Sequence, residues 1–271
     1  MRIDDMGREA SMDKVPKRVA SLAASNTEIL FALGLGDRIV GVTRCCDYPE
    51  EAKEKEQIGG FATADPEKIV ALKPDLVLAF GSVQKDLVTE LEGRGRTVFW
   101  LYPHTVSDIL ESFDRIGEIT GSSVAAQQLR KNVEERIEKV EAKTKNIPEQ
   151  ERPTVFRAMG CDPFGTVGGD SFQTDVFRIA GARNIFSDTK EDYFQLDLDT
   201  LLKLDPDIIV ACSYHEEETR RRMKDQKGWQ DSTAIKMGRM IVFPGDLICR
   251  PGPRIAQTIE QLAKEFHPEL F

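Results

Sequence analysis

DPEKIVALKPDLVLA, from Asp65 to Ala79, and DLDTLLKLDPDIIVA, from Asp197 to Ala211, carry one pattern twice at a constant offset (197 − 65 = 132). Pro74 matches Pro206 and Asp75 matches Asp207. The apolar run Leu76-Val77-Leu78 matches Ile208-Ile209-Val210. Each copy reads as a short amphipathic helix, a tight Pro-Asp turn and a buried strand. A repeat at this separation implies two similar lobes, and two lobes facing one another imply a cleft.

Working outward, the chain alternates strands and helices joined by short loops. Arg18 to Leu22 reads as a strand, followed by a helix from Thr27 to Leu33 that Ser25 or Asn26 caps and Gly34 stops. Ile39 to Val42 is the next strand. Beyond the first repeat, a helix from Asp86 to Glu92, a strand from Thr97 to Leu101 and a helix from Ser107 to Thr120 complete the first lobe. That last helix has its apolar face at Ile109, Leu110, Phe113 and Ile116. Residues 122 to 146 contain no Pro or Gly and alternate charge signs, with a narrow apolar stripe at Val124, Leu129, Val133, Ile137 and Val140. They predict one helix, roughly 35 Å long at about 1.5 Å per residue, lying on the protein as a stiff strut. The second lobe replays the first, with strands at Thr154 to Met159 and Met240 to Phe243 and helices at Thr174 to Ala180 and Arg254 to Phe266. The expected organisation is α/β: two Rossmann-like lobes with parallel-rich sheets, residues 1–120 and 148–271, joined by a long rigid helix within 121–147.

Composition narrows the function. The 271 residues carry a formal net charge of −9 and no basic stripe, which argues against a nucleic-acid partner. No apolar run is long enough for a membrane span. Met1 to Pro16 is polar and unlike a secretory leader, leaving a cytoplasmic protein or a mature chain whose leader has been removed. Five cysteines, Cys45, Cys46, Cys161, Cys212 and Cys249, form no CxxC arrangement. Four of them, Cys45, Cys161, Cys212 and Cys249, fall just after expected strands. They can be read as a soft-metal site or as ordinary small loop residues; the second reading is favoured, and no metal site is assigned.

In parallel sheets, ligands sit beyond the carboxyl ends of the strands. The loops there hold aromatics, small residues and thiols, and few carboxylates. No P-loop, GxGxxG turn, HExxH or Gly-x-Ser-x-Gly elbow occurs; the run Gly165 to Gly169 has the wrong spacing. His104, His215 and His267 are scattered, and nothing pairs them with a nucleophile. The chain therefore reads as a binding protein rather than an enzyme. Glu67 and Asp199 occupy equivalent first-turn positions of the repeat. First-turn acids favour the helix dipole, but one acid on each lobe also suits a partner presenting two arginines.

These residues carry a resemblance. Arg18-Val19-Ala20-Ser21-Leu22 with Ser25-Asn26-Thr27-Glu28, then Asp47-Tyr48-Pro49, then Ala71-Leu72-Lys73-Pro74-Asp75 resemble substrate-binding proteins of ABC importers whose lobes are joined by a rigid helix. That group serves cobalamin, iron–siderophores and haem. The ending Arg250-Pro251-Gly252-Pro253-Arg254 with His267-Pro268-Glu269 is similar to corrinoid-binding members, and Asp4-Met6-Gly7-Arg8 is similar to mature N-termini of the group. The resemblance implies that Glu67 and Asp199 dock on an ABC permease, Asp199 standing where Glu is usual. It implies ligand contacts at Phe61 and Tyr193, each six positions before its acid, at Cys45 in place of an expected Tyr, and at the polar pair Asp246 and Arg250.

The expected function is thus an extracytoplasmic receptor, monomeric, its leader absent from this sequence. It has no intrinsic cofactor and captures a cobalt corrinoid, cobalamin or cobinamide. An iron–siderophore or haem receptor is the alternative; for an anionic siderophore, Arg44, Arg157 and Arg250 would supply the cluster of arginines. A cytoplasmic cofactor-handling enzyme on a similar two-lobed fold is the alternative from another class.

Overall fold

The computed structural model describes residues 2–10, 12, 14–159 and 164–271; Cys161 lies outside them. The chain divides into two compact units, residues 1–103 with 107–132, and 104–106 with 133–271.

In the first unit the strands are β1 (Arg2–Ile3), β2 (Glu9–Ala10), β3 (Val19–Ser21), β4 (Ile39–Val42), β5 (Leu76–Phe80) and β6 (Val98–Leu101), and the helices are α1 (Ala24–Ala32), α2 (Pro66–Ala71) and α3 (Lys85–Gly93). β1 and β2 form a small antiparallel pair, while the main sheet runs β4-β3-β5-β6 with every neighbour parallel. α4 (Val106–Thr120) and α5 (Ser123–Thr144) follow, and the boundary between the units falls within α5. The second unit adds β7 (Thr154–Ala158), β8 (Phe164–Val167), α6 (Phe172–Ile179), β9 (Arg183–Asn184), β10 (Tyr193–Leu196), α7 (Leu198–Leu204), β11 (Ile208–Cys212), α8 (Glu216–Asp225), α9 (Thr233–Lys236), β12 (Met240–Phe243), α10 (Gly245–Ile248) and α11 (Ile255–Phe266). Its main sheet runs β12-β11-β7-β9, again all parallel. Numbering each sheet's strands by their own chain order gives 2-1-3-4 in both units. Each therefore has a topological switch point between its first and third strands, β3/β5 and β7/β11, where the strand-end crevice opens.

The repeat explains the matching sheets in atomic terms. Asp65 and Asp197 are the N-caps of α2 and α7: Asp65 accepts from the N–H groups of Glu67 and Lys68, and Asp197 from that of Thr200. The chain leaves each helix through a left-handed residue directly before the proline, Lys73 (φ +49°) and Asp205 (φ +39°). The aspartates after the prolines then fasten the first strand of each sheet. Asp75 Oδ2 accepts from the N–H groups of Lys17 (2.9 Å) and Arg18 (3.0 Å). Asp207 Oδ2 accepts from Thr154 N–H (2.8 Å) and the Thr154 hydroxyl (2.7 Å).

Below the strand ends the cores are apolar. In the first unit Leu22, Ile58, Ile69, Val77, Leu91 and Trp100 cluster; in the second, Phe156, Leu201, Ile209, Met223, Trp229 and Met240 do. Ile109, Phe113 and Ile116 of α4 are fully buried, as their spacing predicts.

Two expectations change. Ser25 and Asn26 do not cap α1, which begins at Ala24 with Ala23 as N-cap; both lie inside it and are buried. Asn26 faces the sheet, where Nδ2 donates to the carbonyls of Leu78 (3.3 Å) and Ala79 (3.2 Å), and Glu28 is likewise buried, 3% exposed. On α5, Val124 is 84% exposed, and the inward stripe starts instead at Ala126, followed by Val133, Ile137 and Val140. Ala126 enters because residue 117 is glycine: a Cβ there would stand 2.4 Å from the Ala126 Cβ. The first three residues of the Gly165 to Gly169 run lie in β8, which pairs antiparallel with β10 in the register Tyr193↔Val167, and the last two follow it. Gly168 N–H donates to Asp192 O at 3.0 Å, and a Cβ at Gly168 would be 2.2 Å from Glu191 O, so only glycine admits the strand that follows.

Candidate ligand-binding site

At the strand ends of the first unit the organiser is Gln84, 1% exposed, in the turn after β5. Its Nε2 donates to Leu22 O, just past β3, and to Phe61 O, both at 2.9 Å. Its Oε1 accepts from the Phe80 N–H at 2.9 Å. One side chain thus ties the ends of β3 and β5 to the loop carrying Phe61 across the switch point. Phe61 stays half-buried and packs on Phe80, ring centroids 6.3 Å apart. Tyr102, half-buried after β6, reaches the Ser82 hydroxyl at 3.4 Å. Cys45 is half-buried with its sulfur 3.2 Å from Thr43 Oγ1. Cys46 is buried, and its sulfur accepts from Thr27 Oγ1 at 3.2 Å. Its neighbour Cys45 and desolvation both push the Cys46 thiol far above the ordinary thiol range, so Cys46 stays protonated and inert.

The corresponding face of the second unit holds Tyr193, Cys212, Tyr214, Asp246 and Cys249. Tyr193, first residue of β10, is 59% exposed. Burial first, then Asp192 and Cys249, raise its phenol above the usual value, so it remains a neutral hydrogen-bonding aromatic. Asp246, in the first turn of α10, accepts from Arg254 Nη1 at 2.7 Å. Arg250 is half-buried immediately after. Tyr214 lies 66% exposed beside Gly245, where a Cβ would be 4.0 Å from its ring. His104 Nδ1 sits 2.7 Å from Asp170 O and 3.2 Å from Asp192 Oδ1, and burial raises the Asp192 carboxyl above its usual range.

One member of the expected arginine cluster, Arg157, is out of reach of a ligand. Arg157 is fully buried in β7, where Nε donates to Gln173 Oε1 (2.8 Å) and Nη1 to Ala158 O (2.6 Å). It cannot meet a ligand directly. Of the strand-end thiols, Cys212 and Cys249 come together, sulfurs 3.8 Å apart, while Cys45 belongs to the other unit. Among the described residues no group of three or more His, Cys, Asp or Glu is placed to hold a metal ion. His215 is an exposed N-cap of α8.

Glu67 and Asp199 are exposed and take the same place, second residue of α2 and of α7. Glu67, with its side chain 76% exposed, pairs with Arg94 at 2.8 Å. Sequence reasoning missed Gln84, Tyr102 and Tyr214. Gln84 left one faint signal, a polar residue directly after a buried strand with no turn role of its own. The two tyrosines left only their position in strand-end loops.

Comparison with known proteins fits this geometry. Residues 19–247 match the periplasmic binding protein family. An uncharacterized ABC transporter substrate-binding lipoprotein of Bacillus subtilis (strain 168), YvrC, is 34% identical over 275 residues, covering 99% of this chain and 86% of that one. The crystal structure of the periplasmic vitamin B12 binding protein BtuF of Vibrio cholerae superposes with a TM-score of 0.83 at 25% identity, covering 94% of this chain and 98% of that one. A possible iron-binding periplasmic solute-binding protein of Staphylococcus epidermidis ATCC 12228 superposes with a TM-score of 0.76 at 28% identity, covering 93% and 99%. The chain belongs to the periplasmic binding protein family. It is a substrate-binding protein of an ABC importer, not an enzyme, and works outside the cytoplasm with a membrane permease. Among the described residues no helix is long and apolar enough to cross a membrane.

Proposed function

We propose that this protein captures a corrinoid, cobalamin or cobinamide, and delivers it to an ABC permease that reads Glu67 on one unit and Asp199 on the other. The observation that carries the corrinoid reading is the pair of strand-end aromatics. Phe61 is held in place by Gln84, and Tyr193 stands exposed at the start of β10. A corrinoid presents broad apolar faces fringed by neutral amides, which aromatic rings and scattered polar groups such as Asp246 and Arg250 suit. Likeness to a vitamin B12 binding protein supports the same reading. An anionic siderophore would call for clustered arginines, and the burial of Arg157 removes one of the three candidates. The cobalt belongs to the cargo; the chain brings no cofactor of its own to the reading.

Titration of the purified protein with cobalamin, cobinamide, haem and a ferric siderophore, followed by absorbance, ranks the ligands. Corrinoids are expected to bind tightest, and Phe61→Ala and Tyr193→Ala each to weaken them by roughly tenfold, as loss of about 1.4 kcal/mol of aromatic contact implies. Tight haem or siderophore binding with no corrinoid binding would overturn the assignment.

A further inference from the structure

The second unit holds a pair of thiols that the ligand reading leaves unused. Cys212 is the last residue of β11 and Cys249 follows α10; their sulfurs are 3.8 Å apart, with Cys212 half-buried and Cys249 exposed. Directly beneath lies Arg157. Its Nη2 donates to Cys249 Sγ at 3.3 Å, and its other donors go to Gln173 and to the carbonyls of Ala158 and Val210. Those partners are all neutral, and among the described residues no carboxylate lies within ion-pair distance of this guanidinium. A fully buried arginine without an anion is costly, so the surroundings favour a negative charge close to it. The dithiol is the group in reach that can supply one, and it stands at the β7/β11 switch point, open to solvent on the Cys249 side.

We propose that Cys212 and Cys249 are a redox-active dithiol, with Arg157 as the buried cation that holds the pair as one thiolate and one thiol, and that it closes to a disulfide by exchange with a small-molecule disulfide. In the first step the Cys212 thiolate attacks one sulfur of the disulfide RSSR, forming a mixed disulfide and releasing RS⁻. In the second, Cys249 gives its proton to that thiolate and attacks Cys212 Sγ, releasing the other RS⁻, which takes a proton from water. Both cysteines are oxidised, RSSR is reduced to two RSH, and the balance closes.

The titration behaviour of the pair agrees with this geometry. The hydrogen bond from Cys249, opposed by desolvation and reinforced by Arg157, brings the Cys212 thiol down to about 5, while Cys249 is raised. Among the described residues, the charged or titratable groups that bear on the pair are Arg157 from β7 and the neutral Tyr193 from β10. Closure would tie the end of β11 to the turn after α10, the segment between Asp246 and Arg250. Its reach is short, since the two sulfurs need approach by less than 2 Å to meet the usual bond length of about 2.05 Å.

The test uses the whole reduced protein in a glutathione redox buffer, quenched in acid and mapped by peptide mass. The expected product is a Cys212–Cys249 linked peptide, lighter by two hydrogens, that dithiothreitol reverses. Cys45→Ala/Cys46→Ala should form it as fully as the unmodified protein. Cys249→Ser should instead trap a glutathione adduct on Cys212. Alkylation with iodoacetamide at pH 6, where an ordinary thiol of pKa about 8.5 is almost wholly protonated, should label Cys212 at least tenfold faster than Cys46. Both thiols remaining free in excess oxidised glutathione, or Cys212 alkylating with a midpoint near the ordinary thiol value, overturns the proposal. Arg157→Lys keeps the cation and should keep the low midpoint; Arg157→Gln should raise it toward the ordinary value, and an unchanged midpoint there sinks the role given to Arg157.

Discussion

Asp75 and Asp207 look alike in sequence, yet their surroundings differ, and with them the expected cost of removing each. Asp207 accepts two bonds from Thr154 in a half-buried setting and gives one in return, its own N–H donating to Thr154 Oγ1 at 2.9 Å. Asp75 serves Lys17 and Arg18 at an exposed edge, where water can replace it. Asp207→Ala should cost about 1–3 kcal/mol and Asp75→Ala about 0.5–1.5 kcal/mol, read from urea midpoints at constant slope. Equal losses would mean that burial does not set the difference. Gln84 presents the same issue at the site: Gln84→Leu keeps the volume but strands two carbonyls and an N–H. It should lower both stability and ligand affinity, whereas Phe61→Ala should lower affinity alone. At this scale the sequence was legible where a residue acts on its own helix, as with Gly34, expected to stop α1 and found just past its end with φ +74°. It was illegible where a side chain crosses the sheet. Asn26 was read as a cap because caps are local, whereas its partners Leu78 and Ala79 lie more than fifty residues away.

Among elements, the repeated helix–turn–strand ends both helices with a left-handed residue that is not glycine. Such a conformation costs an ordinary side chain about 1 kcal/mol. The Lys73 side chain gives no return for it, since both of its bonds are backbone ones that glycine would keep, its N–H donating to Val70 O and its carbonyl accepting from Arg18 Nε at 3.2 Å. Asp205 does, because its carboxylate takes the Thr233 N–H at 2.8 Å and the Thr233 hydroxyl at 2.5 Å, anchoring the start of α9. Lys73→Gly should therefore stabilise the protein by up to about 1 kcal/mol, even after the added freedom of the unfolded chain. Asp205→Gly should destabilise it by about 1 kcal/mol or more. Thermal midpoints of the two variants decide the matter, and a shift of the same sign in both would sink the argument. The repeat itself and the parallel strands were legible because buried strands and amphipathic helices write their period into local sequence. The β8/β10 pair was not. Its two strands are joined only by long-range pairing, and the glycines around β8 suppress any alternation of apolar residues.

At the scale of the whole molecule, the acids proposed for docking and the long helix belong to one question: how a receptor presents itself to a permease. Glu67 already pairs with Arg94, but an exposed pair is worth only about 0–1 kcal/mol and exchanges readily for a partner's arginine. Asp199 is exposed in the equivalent turn. Charge reversal of both, Glu67→Arg with Asp199→Arg, should abolish uptake while ligand affinity stays within about twofold. Lost affinity would show that these acids serve the ligand instead. The helix α5 bears on the same function. Its 22 residues contain no proline or glycine, and it contributes its first ten residues to one unit and the rest to the other. Hinge motions concentrate at a few loop or element-terminal residues, and a continuous helix offers none within its length. Small-angle scattering of the ligand-free and corrinoid-loaded protein should therefore give superimposable profiles. A pair of glycines inserted after Asn132, where the division falls, should broaden the distance distribution of both forms. A clear contraction of the unmodified protein on loading would place a hinge in the loops around Pro103 and Pro148, and α5 would then be a passenger of the motion rather than its restraint.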